Sequence, residues 1–281
     1  TYALQGSVHY QRRMISCNDW NSATQCSDAT CCLNPSRNQI ELMPARNVIV
    51  QIVDTSKNPF TILTQTYTDM LGHYAVSWTG PAQVNIDILS QTQNPTYRVV
   101  NNTDGIRGNH PVYRARYPFY ENEKISVAQS QSTININFPS GWDGQQYSGS
   151  RVSGIFALLD TLYGASQIMQ QAVPDLLLEN LDIHWSTKNS ACADESKPEC
   201  IGSTSWNSAH KIMYVLGDAE TDTDEFDSSV LLHEWAHYIE TYHGRIDSQG
   251  GPHNRSMLMD LRLAFSEGFA NALSGLLNYN T

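Results

Sequence analysis

The feature that most constrains this chain is His233-Glu234-Trp235-Ala236-His237, set in a stretch that reads as one helix. Histidines four residues apart stand one turn above each other, offset by about 40° around a 3.6-residue helix, so both imidazoles reach one point. Such a point suits a metal ion. Glu234 then lies beside any water in the ion's open position, the arrangement that metal-assisted hydrolysis with a carboxylate base requires. The flanking Val230, Leu231, Leu232, Tyr238 and Ile239 are uncharged, as expected of a helix buried beneath a site.

A hydrolytic zinc ion takes three protein ligands and leaves one position open. Two residues downstream compete for the third place. Glu267 sits in a helical pattern with apolar residues at 261, 263, 264, 265, 269, 270, 273, 276 and 277. A lone carboxylate beside that buried face is costly unless paired or metal-bound. His243 instead occupies the last histidine of the HExxHxxGxxH pattern, which needs a glycine at its eighth position to swing the chain back. Here that position is Glu240, a good helix former. In a continuing helix His243 lies roughly 240° around the axis from His237 and points away. The segment Ser256-Met257-Leu258-Met259 imitates a Met-turn only faintly, since methionines beside a buried helix ordinarily serve packing. Glu267 is the preferred ligand.

On these residues the chain resembles the gluzincins, the thermolysin-like zinc metallopeptidases whose HExxH is followed by a glutamate on a later helix. The resemblance implies His233, His237 and Glu267 as zinc ligands and Glu234 as general base. Asn271, one turn after Glu267, stands where many members carry an aspartate that orients a ligand histidine, so the outer layer here is an amide. Residues 231–240 and 264–277 resemble secreted bacterial proteins with a β-domain ahead of such a site. The likeness covers about residues 150 to 281. In that family an edge strand above the zinc pairs with an extended substrate, a place that falls to Lys211–Gly217.

Charged residues make up only 16% of the 281, with a net charge of −11. That balance argues against nucleic acid, whose phosphates it could not neutralise. No apolar run of about 18 residues exists, so no membrane-spanning helix is expected. The chain begins at Thr1, which suggests a processed mature form. Six cysteines fit an oxidising compartment, so a secreted or extracytoplasmic place (periplasm or cell surface) is expected. Cys192 and Cys200 flank a short polar loop and are expected to pair. Cys17, Cys26, Cys31 and Cys32 could form two more bridges, with Cys31 and Cys32 each joined to Cys17 or Cys26 rather than to each other. A cysteine-rich zinc module is disfavoured because no CxxC pair occurs.

The expected fold class is α+β: an all-β sandwich, prealbumin- or Ig-like, over residues 1–140, then a zincin-like α+β metallopeptidase domain over 141–281, incomplete at its end if the further helical lobe of gluzincins is to be found. Short β-branched or aromatic runs at 48–53, 61–68, 74–78, 84–89, 97–100 and 133–138 are separated by turn residues. The turn Thr68-Asp69…Gly72-His73-Tyr74 resembles small prealbumin-like sandwiches that accompany secreted peptidases. Residues 139–144 read as a linker. An amphipathic helix is predicted over 150–173, stopped by Pro174, then strands at 181–185 and 211–217, and the metal helix over about 225–242 with Gly244 as its stop. His184 and His210 have no spacing relation to the motif and are read as ordinary histidines.

Six carboxylates (Asp218, Glu220, Asp222, Asp224, Glu225 and Asp227) crowd ahead of the metal helix. Helix capping and favourable charge at the helix start explain them simply. A calcium site is the sharper alternative, and capture of a substrate's amino terminus a third. For stabilising the oxyanion, His253 is the first candidate, with Tyr242 and Arg262 behind it. The sequence thus points to a secreted zinc peptidase acting on a protein or peptide. The competing expectation is a surface-binding protein with a structural or degenerate metal site. Endo- or aminopeptidase action stays open, as does oligomeric state.

Overall fold

The computed structural model describes residues 1–13, 40–103, 114–116, 125–127, 132–194, 196–245, 247–248, 250–251 and 257–280. The first half is built from strands β1 (Tyr2–Arg13), β2 (Ile40–Pro44), β3 (Val48–Asp54), β4 (Thr61–Tyr67), β5 (His73–Trp78), β6 (Gln83–Thr92) and β7 (Tyr97–Val100). Short strands β8 (Arg114–Arg116), β9 (Ile125–Ser126), β10 (Ser132–Thr133) and β11 (Ile136–Phe138) follow. The second half holds helix α1 (Ser153–Ala172), strands β12 (Leu181–Trp185), β13 (Ser205–Asn207), β14 (Ile212–Val215), β15 (Gly217–Asp218) and β16 (Asp222–Thr223), then helices α2 (Ser228–His243) and α3 (Leu261–Asn280). The class is α+β. Among the described residues no helix is long and apolar enough to cross a membrane.

β1 organises one sheet. Its first half pairs antiparallel with β5 and its second half with β2, while β10 and β11 run parallel along its other border. The larger sheet has the order β13-β14-β12-β7-β6-β3-β4, with β8 and β9 also on β6. β3 is buried at every position, as its run of valine and isoleucine requires of a strand covered on both faces. β5 alternates, sending Tyr74, Val76 and Trp78 inward. Two strands of this sheet lie outside the expected runs: β1, which carries Gln, Ser, His and Arg, and β2, which pairs with it.

Across the expected boundary at residue 140 the chain shares both a sheet and a core. β7 pairs in parallel with β12, Tyr97 opposite Leu181, and Arg98 clasps Asp182 through two hydrogen bonds of 2.8 and 2.6 Å. One buried cluster runs from Leu4 on β1 through Ile88 and Phe156 to Leu231 and Leu277. The stretch read as a linker is held down as well. Arg13 lies 3.6 Å above the Trp142 ring, and Ser140 is fully buried.

Strand residues also fix the helices. Asp160, buried in α1, accepts from the Tyr10 hydroxyl at 2.9 Å and from Arg46 Nε at 2.5 Å. Arg12 reaches from β1 to Thr161 on α1 and to Ser228 at the start of α2. The back of α2 is pinned by Trp235, whose indole donates to the Tyr97 hydroxyl, and by Tyr238, whose hydroxyl donates to the Glu179 carbonyl. Removing these links would leave buried donors and acceptors without partners, which is the expensive half of a hydrogen bond.

The segment before α2 carries a buried carboxylate that ties it to β13. Thr204 donates its hydroxyl to Asp224 and accepts the backbone N–H of Leu216. Burial pushes the Asp224 carboxyl up to about 7, with Asp222, Asp227 and Glu225 adding negative charge around it. A folded-state value above that of the unfolded chain means this carboxyl's contribution to stability is fully present below its unfolded value and is lost as pH rises through about 7. Asp224→Asn should therefore flatten the decline in melting temperature between about pH 4 and 8, and should raise it at pH 8 by about 3 °C or more. Thermal melts of both proteins across that pH range check this.

Candidate metal centre

α2 begins where Asp227 caps it, its Oδ1 accepting from the Ser229 and Val230 amides at 2.9 and 3.2 Å. A capped start fixes the helix register, and with it the face on which His233 and His237 emerge. The helix stops at Gly244, whose amide bonds the Glu240 carbonyl at 2.9 Å. A Cβ at Gly244 would stand 2.8 Å from that same oxygen, so close approach rather than a left-handed backbone demands glycine here. The two imidazoles meet nearly edge to face, with centroids 4.8 Å apart.

α3 crosses α2 and delivers the third group. Ser274 donates to the Ser229 carbonyl at 2.8 Å and fixes the crossing near one end. Glu267, only 14% exposed, then faces both rings: one carboxylate oxygen is 3.2 Å from His233 Nε2, and the other is 3.5 Å from His237 Nε2. The two Nε2 atoms are 3.2 Å apart. Tetrahedral zinc with bonds of about 2.0–2.1 Å requires its donors about 3.3 Å from one another. The Nε2 pair has that spacing, and Glu267 approaches each nitrogen through a different carboxylate oxygen, a nitrogen–carboxylate donor set that zinc and other divalent ions accept. This is the only group of three or more His, Cys, Asp or Glu side chains among the described residues arranged to hold a metal.

The outward nitrogens are held too. His233 Nδ1 is 3.1 Å from Asn271 Oδ1, and His237 Nδ1 is 3.3 Å from Ser266 Oγ. Burial and the neighbouring His237 hold His233 below the usual histidine value, which favours the neutral form a ligand needs. Asn271 thus lies against a candidate ligand.

Glu234 points toward β13, where its Oε2 accepts the Trp206 backbone N–H at 2.7 Å. Trp206 also donates its indole N–H to Thr241 Oγ1 at 2.8 Å, a second clasp between β13 and α2. Together these walls enclose a cleft of about 600 Å³ whose lining includes Ser203, Trp206, Glu234, Glu240, Leu263 and Glu267. The strand expected at the sheet edge is corrected here. Residues 212–215 of that run lie inside the sheet as β14, covered by the antiparallel β13, which supplies the edge. The reason is local: the Lys211 turn, with φ 58°, folds the chain back onto a strand of three residues too short to read from its pattern.

His243 is exposed and forms no part of the cluster, in keeping with the unbroken helix through Glu240. His253 lies outside the described residues, as do Cys17, Cys26, Cys31 and Cys32. Tyr242 and Arg262 are not among the described residues lining the cleft; Tyr242 lies beneath Lys211, and Arg262 bonds Asp260. In the acidic segment Asp227 caps α2, Asp218 closes its own turn onto Glu220 and Thr221, Asp224 takes Thr204, and Glu225 is buried against Arg151. No trio of them converges. His184 is buried beside Tyr214, and His210 is exposed.

No family model and no curated protein matches the chain. Among solved structures a 9R-lipoxygenase from Cyanothece PCC8801 is similar at 10% identity and a TM-score of 0.23, over 63% of this chain and 25% of that one. This chain spans a quarter of that enzyme's length, and a likeness so slight carries no argument.

Calorimetric titration with zinc separates the two competing third ligands. Glu267→Ala should lower affinity by at least about a hundredfold, beyond the range typical of outer partners. His243→Ala should bind as the wild type does. The reverse order would move the centre to His243.

Proposed function

We propose that the chain is a zinc-dependent hydrolase of peptide bonds, with His233, His237 and Glu267 as ligands and Glu234 as general base. The observation that carries this reading is the pair of Nε2 atoms 3.2 Å apart, with the two Glu267 carboxylate oxygens 3.2 and 3.5 Å from them and Glu234 beside them in an open cleft. When bound, the ion would polarise both the attacking water and the carbonyl to be cleaved. Glu234 would take the proton from that water and pass it to the leaving amine. Its anchoring by the Trp206 amide limits how the carboxylate can rotate, so its reach toward the cleft is preset. An extended peptide laid along β13 would be held by main-chain hydrogen bonds next to Glu234.

The finer architecture belongs to the same proposal. Residues 141–281 form a zincin-like unit in which β13 and β14 lie against α2, α1 packs on α2, and α3 brings the glutamate. The N-terminal strands, read as a sandwich, extend that unit's sheet and brace its helices. The Cys192–Cys200 disulfide, closing a loop with Cα atoms 4.8 Å apart, supports an oxidising and so extracytoplasmic location.

Hydrolysis of a generic protein substrate tests the proposal. The wild type should cleave it, phenanthroline should abolish cleavage, and added zinc should restore it. Glu234→Gln should keep its zinc and lose about 10²–10⁴-fold in kcat/KM. Zinc uptake without any wild-type hydrolysis would leave the surface-binding reading standing instead.

A further inference from the structure

We propose that Glu240 is a positioning residue: acting through Ser266, it fixes His237 as the Nδ1–H tautomer, so that Nε2 is the nitrogen offered to the metal. The inference rests on the metal-centre reading above and concerns a residue that reading leaves without a role.

Glu240 lies on α2 three residues after His237, and is only 8% exposed. A carboxylate so placed requires partners. It has two: its Oε2 is 2.5 Å from Ser266 Oγ and 3.6 Å from His237 Nδ1. Ser266 Oγ is in turn 3.3 Å from His237 Nδ1.

The protons in this triangle can be counted. An ionised carboxylate only accepts, and a serine hydroxyl has a single proton. Facing a group that can only accept, Ser266 donates that proton to Glu240. Toward His237 the serine oxygen can then only accept, so the hydrogen between them belongs to Nδ1. A neutral imidazole carries one N–H. Nε2 is left with its lone pair, and Nε2 is the atom that faces His233 and Glu267.

His233 receives the same treatment from a different chemistry, since its Nδ1 is met by the neutral amide oxygen of Asn271. The negative charge of the outer layer is therefore on the His237 side. An outer carboxylate fixes the tautomer and strengthens the imidazole as a donor, and losing such partners weakens metal binding by about 10–100-fold. The helix that runs on through position 240, where a glycine would have turned the chain away, is what places this carboxylate.

Glu240→Gln is close to isosteric but removes the constraint. A glutamine amide can donate to Ser266 as well as accept from it, which frees the serine proton to turn toward Nδ1. Two measurements read this out. In the metal-free protein, long-range proton–nitrogen spectra of the imidazoles should show His237 as Nδ1–H in the wild type and as a tautomer mixture in Glu240→Gln and in Ser266→Ala. Zinc competition against a chromophoric chelator should show about tenfold weaker binding for each variant. The double variant should be little weaker than either single one, because the two residues act as one unit. Wild-type His237 found as Nε2–H, or wild-type zinc affinity retained by Glu240→Gln, would overturn the inference while leaving the metal centre intact. No zinc uptake by the wild type would remove the centre and the inference together. Should Glu240→Gln fail to fold, Ser266→Ala carries the same two readouts.

Discussion

The crossing of α2 and α3 is the constraint on which the rest depends. It holds a carboxylate within 3.5 Å of two imidazoles that are themselves 3.2 Å apart. Without a cation such a gathering is unfavourable, because each polar group loses water and gains neighbours of limited use. The scaffold therefore has to enforce it. Arg12 anchors the first turn of α2 from a strand more than two hundred residues earlier in the chain, and Tyr97 and Glu179 hold its back. Rigid elements, not loops, carry all three candidate ligands, which suits a site whose tolerance is a few tenths of an ångström.

Glu234 shows how closely support and chemistry are joined. Its carboxylate is both the proposed base and one of two clasps between α2 and the edge strand. Thr204, two residues before Trp206, ties the same strand to buried Asp224. The wall of the cleft is thus attached at both ends to the segment that starts and forms α2, and the position of one follows the other.

What could be read from the sequence was the long helices and the short β-branched or aromatic runs that form β3 to β7 and β12. His233 and His237 fall on one face of α2 and Glu267 and Asn271 one turn apart on α3; that the two helices meet was an expectation of the family resemblance, not of spacing. Three features resisted for distinct reasons. β13 has three residues, Ser205-Trp206-Asn207, and no alternation can be seen in so short a run. β1 is twelve residues long yet carries Gln5, Ser7 and His9 between its buried Leu4, Val8 and Tyr10 and two arginines after them, so its pattern looks like a loop. Glu240 was legible as a helix former only, since its meaning comes from Ser266 on another helix. Long-range pairing also blurred the boundary at residue 140, because composition changes there while the sheet does not.

The parallel seam between β7 and β12 joins residues 84 apart in sequence. During synthesis β7 emerges on the ribosome well before its neighbour exists, with a row of backbone groups open along one border. Such a border is adhesive toward other chains until it is covered. A chain that has not yet docked Leu181–Trp185 therefore carries an open border on β7, and the sheet beneath the histidine helix is continuous only once that seam has closed.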